Sequence, residues 1–357
     1  MICRDTCACS SPMLTLPWGG EAEATKDGSA SLGMAGQGQE RYAVLLFYQY
    51  AKAGCELPRA MCEALKRSQL TLCLDLGLLG RVRIAREGLN VTLGGTLRSV
   101  RRYIAALIAD ALYAPLEPGS IHFKVGFLVE DSPIPYERQK LTSLSVKLTK
   151  EVVSLDVSED ERQQMLAAGP GRLLSPEQFH AALVARGDAP DKVAVIDVRN
   201  SYETRIGRFE GALDPGTRQF SDFARWADAR VDMLRAKDEV LMYCTGGVRC
   251  ERASAYLRAR GVSKVSQLHG GIQNYQDAFP DGGLFRGKNF VFDNRIAVPY
   301  PRCVEVVGCC ARCARPWDDY SGQRRCARCR VLLLVCDQCS AEDGAEQLCC
   351  EGCERAE

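Results

Sequence analysis

The chain has 357 residues, 46% hydrophobic and 25% charged, with Lys+Arg 46 against Asp+Glu 45. That length allows two or three domains, and the near-zero net charge excludes a whole-molecule field that attracts nucleic acid, so any RNA contact must come from local patches. Nineteen cysteines would suit a small disulfide-bonded secreted protein, but none lies between Leu74 and Tyr243 and eleven lie between Cys303 and Cys353, mostly as C-x-x-C pairs, which reads as zinc in a reducing compartment.

Residues 1–39 are rich in Gly, Ala and Ser, and Cys3, Cys7 and Cys9 lie there with no fourth cysteine nearby. Glu21, Glu23 and Asp27 argue against a transit peptide, and no apolar signal core follows the first basic residue. No run approaches the roughly 20 apolar residues that span a bilayer. The expectation is a disordered extension on a cytoplasmic protein with no membrane partner, organellar import being left open.

Residues 40–129 read as a first folded unit. The apolar run from Ala43 to Tyr48 has strand character, and a helical pattern follows from Leu57 to Ser68. Two strands, Leu79 to Ala85 and Leu89 to Leu93, meet at a Glu87-Gly88 turn; a helix from Thr96 to Leu112 and a strand from Ile121 to Phe127 complete the unit. The order βαββαβ predicts a ferredoxin-like α+β sandwich. Residues 130–173 read as a connector opened by Pro133 and Pro135, within which Leu144 to Val153 alternates apolar and polar residues. Arg81, Arg83 and Arg86, with Lys147 and Lys150, offer a phosphate-binding patch; a solvated face is the alternative.

Residues 174–286 alternate strands and helices, the pattern of a doubly wound parallel sheet. Ser175 is placed to cap a helix with Pro176 at its first position. The strand Val193 to Arg199 ends in a D-x-R at Asp197 and Arg199, which read as buttresses of the active edge. A second apolar strand ends at Tyr243 and delivers Cys244-Thr245-Gly246-Gly247-Val248-Arg249-Cys250. Two glycines let the backbone curl and aim N–H groups at the Cys244 sulfur. The helix beginning near Cys250 adds partial positive charge and Arg249 a full one, so the loop favours thiolate over thiol. Arg249 is expected to hold an anion or substrate at the loop rim, with a salt bridge to the fold as the alternative. Cys250 reads either as a second thiol working with Cys244 or as a cysteine buried in the helix.

In residues 287–357 the pairs are Cys310-x-x-Cys313, Cys326-x-x-Cys329, Cys336-x-x-Cys339 and Cys350-x-x-Cys353. Each pair makes a knuckle and two knuckles complete a tetrahedron, so two structural zinc ions are expected. Spacing does not say which pair joins which; the expectation is a crossed arrangement, first with third and second with fourth. Arg312, Arg315, Arg324, Arg325, Arg328 and Arg330 decorate this unit. The three histidines, His122, His180 and His269, are far apart in sequence and signal no iron site. No glycine fingerprint precedes a helix, so no bound flavin or nicotinamide is indicated.

The segment from Cys244 to Arg249 resembles the six-residue active-site loop of a rhodanese domain. The longer string from Leu241 to Leu257 resembles the rhodanese subfamily of oxygen-dependent tRNA uridine hydroxylases and eukaryotic thiosulfate sulfurtransferase-like proteins, as do Gly80 to Asn90 and Gly287 to Arg295. The resemblance implies a multidomain α/β enzyme that converts a wobble uridine of tRNA to 5-hydroxyuridine. Molecular oxygen would be the co-substrate, Cys244 the nucleophile, and Thr245, Gly246, Gly247 and Val248 its loop. One alternative is a sulfurtransferase carrying a Cys244 persulfide from a sulfane-sulfur donor such as thiosulfate. Another is a non-enzymatic zinc-bearing interaction protein, which Cys244 and Arg249 disfavour. The subfamily follows Glu-Gly-Ile-Asn with Gly, whereas this chain has Glu87-Gly88-Leu89-Asn90-Val91, so Val91 is expected to narrow an RNA-contacting turn.

Overall fold

The computed structural model describes residues 41–51, 56–130, 132–187, 189–300, 305–342, 350 and 353. The expected extension, with Cys3, Cys7 and Cys9, lies outside them. In the first unit β1 (Tyr42–Tyr50), α1 (Arg59–Asp75), β2 (Leu79–Ala85), β3 (Gly88–Thr96), α2 (Leu97–Ala109) and β4 (Lys124–Phe127) follow in the expected order. The helix α1 runs past Ser68 because Gln69, which breaks the apolar pattern, is buried with both ends satisfied. It accepts from the Tyr103 hydroxyl at 2.5 Å and donates to that of Tyr113 at 2.6 Å. Thr96 caps α2 by accepting the Ser99 N–H at 3.1 Å.

After α3 (Tyr136–Gln139), β5 (Leu144–Leu148) joins the first sheet, whose order is β4-β1-β3-β2-β5. It runs parallel to β2 with Lys147 opposite Arg83. The stretch read as a connector therefore supplies this sheet's edge strand. Val91 is fully buried in the core between this sheet and its helices, with Leu45, Phe47, Ile84 and Ile104. It narrows no turn; it fills the core.

The second unit contains α4 (Glu159–Ala168), β6 (Arg172–Leu174), α5 (Pro176–Arg186), β7 (Val193–Asp197), α6 (Ser201–Thr204) and β8 (Gly207–Phe209). It continues through α7 (Asp222–Asp228), α8 (Val231–Arg235), β9 (Glu239–Tyr243), α9 (Val248–Ala259), β10 (Val265–Leu268) and α10 (Gly271–Ala278). A parallel sheet of order β6-β10-β9-β7 lies between two apolar layers. Along β9, Val240 and Met242 face the layer of Trp226 and Tyr256, while Leu241 and Tyr243 face that of Phe179 and Tyr275. Covering both faces explains the unbroken apolar run of this central strand. Ser175 and Gln178 cap α5 reciprocally, at 3.0 and 3.2 Å.

The third unit holds β11 (Phe285–Gly287), which pairs with β8, then β12 (Asn289–Phe290), β13 (Ala297–Val298) and α11 (Asp337–Glu342). Its cysteine-rich lobe is tied down where the Tyr320 hydroxyl donates to the Tyr202 carbonyl at 2.8 Å and Lys288 pairs with Asp318 at 2.8 Å. Among the described residues no helix is long and apolar enough to cross a membrane.

Candidate active site

Cys244 directly follows β9, at the carboxyl edge where open α/β sheets hold ligands. The helix α9 starts at Val248, two residues earlier than expected. Gly247 precedes it at φ +99°, where a side chain would also meet the Tyr48 hydroxyl at 2.8 Å, so glycine is required there. This curl brings the Gly247 N–H to 3.1 Å from Cys244 Sγ. Gly271, at φ +68°, lets α10 press on the loop: a Cβ there would lie 2.5 Å from the Cys244 carbonyl oxygen.

Cys244 is fully buried. Burial pushes its thiol up, but contact with Cys250, the Arg249 charge and the N–H groups of Cys250 and Arg249 outweigh it and hold the thiol well below the ordinary range. Burial and the neighbouring Cys244 sulfur push Cys250 well above that range, so the proton of the pair stays on Cys250. Both cysteines are free.

Arg249 differs from the rim position expected of it. It is 6% exposed and forms a two-pronged pair with the buried Glu203 of α6, at 2.6 and 2.7 Å. Thr245 donates to the same carboxylate at 3.2 Å. The salt-bridge alternative describes this residue, although Arg249 still lines the cavity. Asp197 and Arg199 pair in full burial at 2.9 and 2.6 Å, and Tyr243 and Thr204 donate to Asp197 at 2.8 and 3.0 Å. They lock the strand ends and do not line the cavity.

The first unit closes over the loop. Lys124 of β4 donates to the Gly246 carbonyl, and the Tyr50 hydroxyl donates to that of Val248 at 3.3 Å. Arg252 of α9 makes a buried ion pair with Glu87 and lies 4.7 Å over the Tyr50 ring. Burial pushes the Lys124 amine down to about 8, with Cys244 opposing.

Between the first two units opens a cavity of about 440 Å³ with Cys244, Thr245, Gly246 and Val248 in its wall. Arg81 and Arg83, on one face of β2, line it with Asn90 and Thr92 of β3, while Leu46 and Tyr48 supply an apolar side. Phe292 adds an aromatic edge, and its carbonyl accepts from Arg81. Gln273 presents a buried Oε1 that has no hydrogen-bond partner. The arginine patch is thus divided. Arg86 lies outside, 3.0 Å from Glu56; Lys150 pairs with Asp156 at 3.7 Å, and Lys147 is exposed. Sequence reasoning missed Lys124, Tyr48, Gln273 and Phe292 as site residues. Only the lysine inside the apolar alternation of a strand offered a signal.

His122 and His269, distant in sequence, meet edge-on with ring centroids 5.2 Å apart. Burial and the nearby Lys124 push His122 down to about 4. Among the described residues, however, only two groups could hold a metal ion: Cys310, Cys313, Cys336 and Cys339, and Cys326, Cys329, Cys350 and Cys353. The pairs combine in the crossed order. Cys313 and Cys336 sulfurs are 3.7 Å apart, and those of Cys329 and Cys350 3.6 Å. A tetrahedron of thiolates at about 2.3 Å from zinc has edges of about 3.8 Å, so the donor sets fit that ion.

The chain matches three family models, described as a UPF0176 acylphosphatase like domain over residues 42–152, a Rhodanese-like domain over 175–278 and Rhodanase C-terminal over 286–354. It is 38% identical to Rhodanese-like domain-containing protein 6 of Arabidopsis thaliana, over 89% of this chain and 53% of that protein, so it spans about half the relative's length. It is 36% identical to a tRNA uridine(34) hydroxylase of Rhodococcus opacus, over 83% of this chain and 96% of the relative. With that of an Arthrobacter species it shares 32% identity, over 87% and 98% respectively. With its acylphosphatase-like unit, rhodanese fold and two cysteine quartets in one chain, the protein belongs to the family of the tRNA uridine(34) hydroxylases.

Proposed function

We propose that this protein hydroxylates the wobble uridine of tRNA at carbon 5, with molecular oxygen as co-substrate and Cys244 as nucleophile. The observation that carries the reading is a thiolate-favouring cysteine in the wall of a cavity of about 440 Å³, lined by Arg81 and Arg83 from a different domain. That volume lies in the range of small-molecule sites, about 300–1,000 Å³, and suits one nucleoside. Its arginines can neutralise the attached phosphates. The unpartnered Gln273 Oε1 can accept the N3–H of uracil.

In this account the Cys244 thiolate adds to carbon 6, and the electron pair gathers at carbon 5, which captures oxygen. One oxygen atom stays as the new hydroxyl; the other leaves as water, taking two electrons from an added reductant and two protons. Loss of the carbon 5 proton and departure of Cys244 restore the ring. Asp197, Arg199 and Glu203 position the loop. We infer one zinc ion in each cysteine quartet. Four thiolates close the coordination shell, so each zinc is structural. Reduced cysteines in such number suit the cytoplasm.

Sulfur transfer is the second reading, favoured by the Gly247 N–H at 3.1 Å from the Cys244 sulfur, a contact that would also steady a persulfide. Thiosulfate, a dianion, could also use Arg81 and Arg83, but it would fill only a small part of a cavity of about 440 Å³. Nucleoside mass spectrometry of tRNA separates the two. Cells lacking this protein should lose wobble 5-hydroxyuridine, and re-expressing Cys244→Ser should not restore it. Unchanged 5-hydroxyuridine, together with loss of thiosulfate turnover, would favour the second reading.

A further inference from the structure

A second cavity, of about 650 Å³, opens where the rhodanese unit meets the cysteine-rich lobe. It adjoins the first, with Arg81, Gln219, Val291, Phe292 and Asp293 lining both. The exposed arginines Arg218, Arg325 and Arg330 stand around it. Its two carboxylates are already engaged. Asp293 takes both prongs of Arg295 at 2.8 and 2.6 Å, and Asp222 pairs with Arg225 at 3.1 Å while accepting backbone N–H groups of Arg218 and Gln219. The Cys329 quartet, a tetrathiolate of formal charge about −2 when it holds zinc, is the remaining negative centre, and the four lining arginines Arg81, Arg218, Arg325 and Arg330 outweigh it. Ile296, Val331 and Leu332 give it an apolar side, and Phe292, 41% exposed, stands at the junction of the two cavities.

Resting on the hydroxylase reading, we propose that this groove binds the single-stranded nucleotides adjoining the target uridine. Their phosphates lie on Arg218 and Arg330, and a neighbouring base stacks on Phe292. Cationic rims with an aromatic platform are what unpaired RNA requires, since each base offers a flat apolar face and each linkage a charge. A paired stem hides its bases and has no use for the apolar side. An acidic peptide would use the arginines but not the ring. The second quartet takes part as well. Cys329 lines the groove, so the metal-binding knuckle forms part of the wall that holds RNA.

The test uses the full-length, metal-loaded protein and an RNA anticodon stem-loop carrying the target uridine. The Arg218→Glu, Arg330→Glu double variant should bind at least about tenfold more weakly. Its plot of log affinity against log salt should be flatter by about 1.4, because each phosphate contact to a single strand contributes about 0.7. Phe292→Ala should weaken binding with the salt slope unchanged, a result independent of how the double variant folds. Thermal melting and metal content matching the wild type confirm that each variant is folded. Wild-type affinity and slope in both variants overturn the groove. Displacement of the stem-loop by poly-glutamate as readily as by oligouridylate overturns it too, because the ligand is then any acidic chain. The hydroxylase reading stands or falls separately, on whether the wild type converts the uridine of the same stem-loop.

Discussion

At Cys244 a fully desolvated sulfur is nonetheless held as thiolate, because one cation, one neighbouring thiol and the N–H groups of a tight loop converge on it. Alkylation should therefore reach half its maximal rate at a pH well below the 8.5 or so of a free thiol. Arg249→Met should move that midpoint upward. Since the folded thiol titrates below its unfolded value, its stabilisation is complete above about pH 8.5 and is lost as pH falls through the folded midpoint. Glu203→Gln leaves the Arg249 charge buried and singly supported, and should cost about 3–5 kcal/mol in denaturant unfolding. Gly246, Gly247 and Arg249 made the loop legible in sequence. The partner of Arg249 was not, because Glu203 lies 46 positions away and its motif gives no sign of where the carboxylate points.

Among the elements, β1 and β4 of the first unit act on the loop of the second. Lys124 reaches Gly246 from β4, and its charge favours the thiolate from across the domain boundary. Lys124→Met should move the pH midpoint of Cys244 alkylation upward; a move of one pH unit would slow the reaction about tenfold at pH values below that midpoint while changing it little above. The misread connector shows why such contacts escape sequence reading. The alternation from Leu144 onward was visible, but the partner of β5 is β2, and a strand does not encode its neighbour. The cysteine pairs were the opposite case, since their spacing already states tetrahedral chemistry. Chelation should unfold the lobe while β7 and β9 keep their protection, which hydrogen exchange before and after metal removal will report. Loss of protection throughout the sheet would mean that the lobe and the rhodanese unit fold as one.

For the whole molecule, the order of the units was legible because each carries its own motif, whereas the cavity was not, because no single unit contains it. Arg81 comes from the first, Cys244 from the second and Phe292 from the third. Of the five basic residues in the expected RNA patch, only Arg81 and Arg83 line the cavity; Arg86 has its own carboxylate at Glu56. Arg81→Glu with Arg83→Glu should therefore abolish tRNA modification, whereas Arg86→Glu should leave it nearly unchanged, as single-turnover assays on unmodified tRNA will measure. The most direct measurement supplies purified protein, unmodified tRNA and a thiol reductant with isotope-labelled oxygen gas, then examines the nucleosides by mass spectrometry. The account predicts 5-hydroxyuridine at the wobble position with one labelled oxygen atom, and none with Cys244→Ser. Product whose new oxygen is unlabelled, or no product from a protein that rapidly consumes thiosulfate, would contradict it.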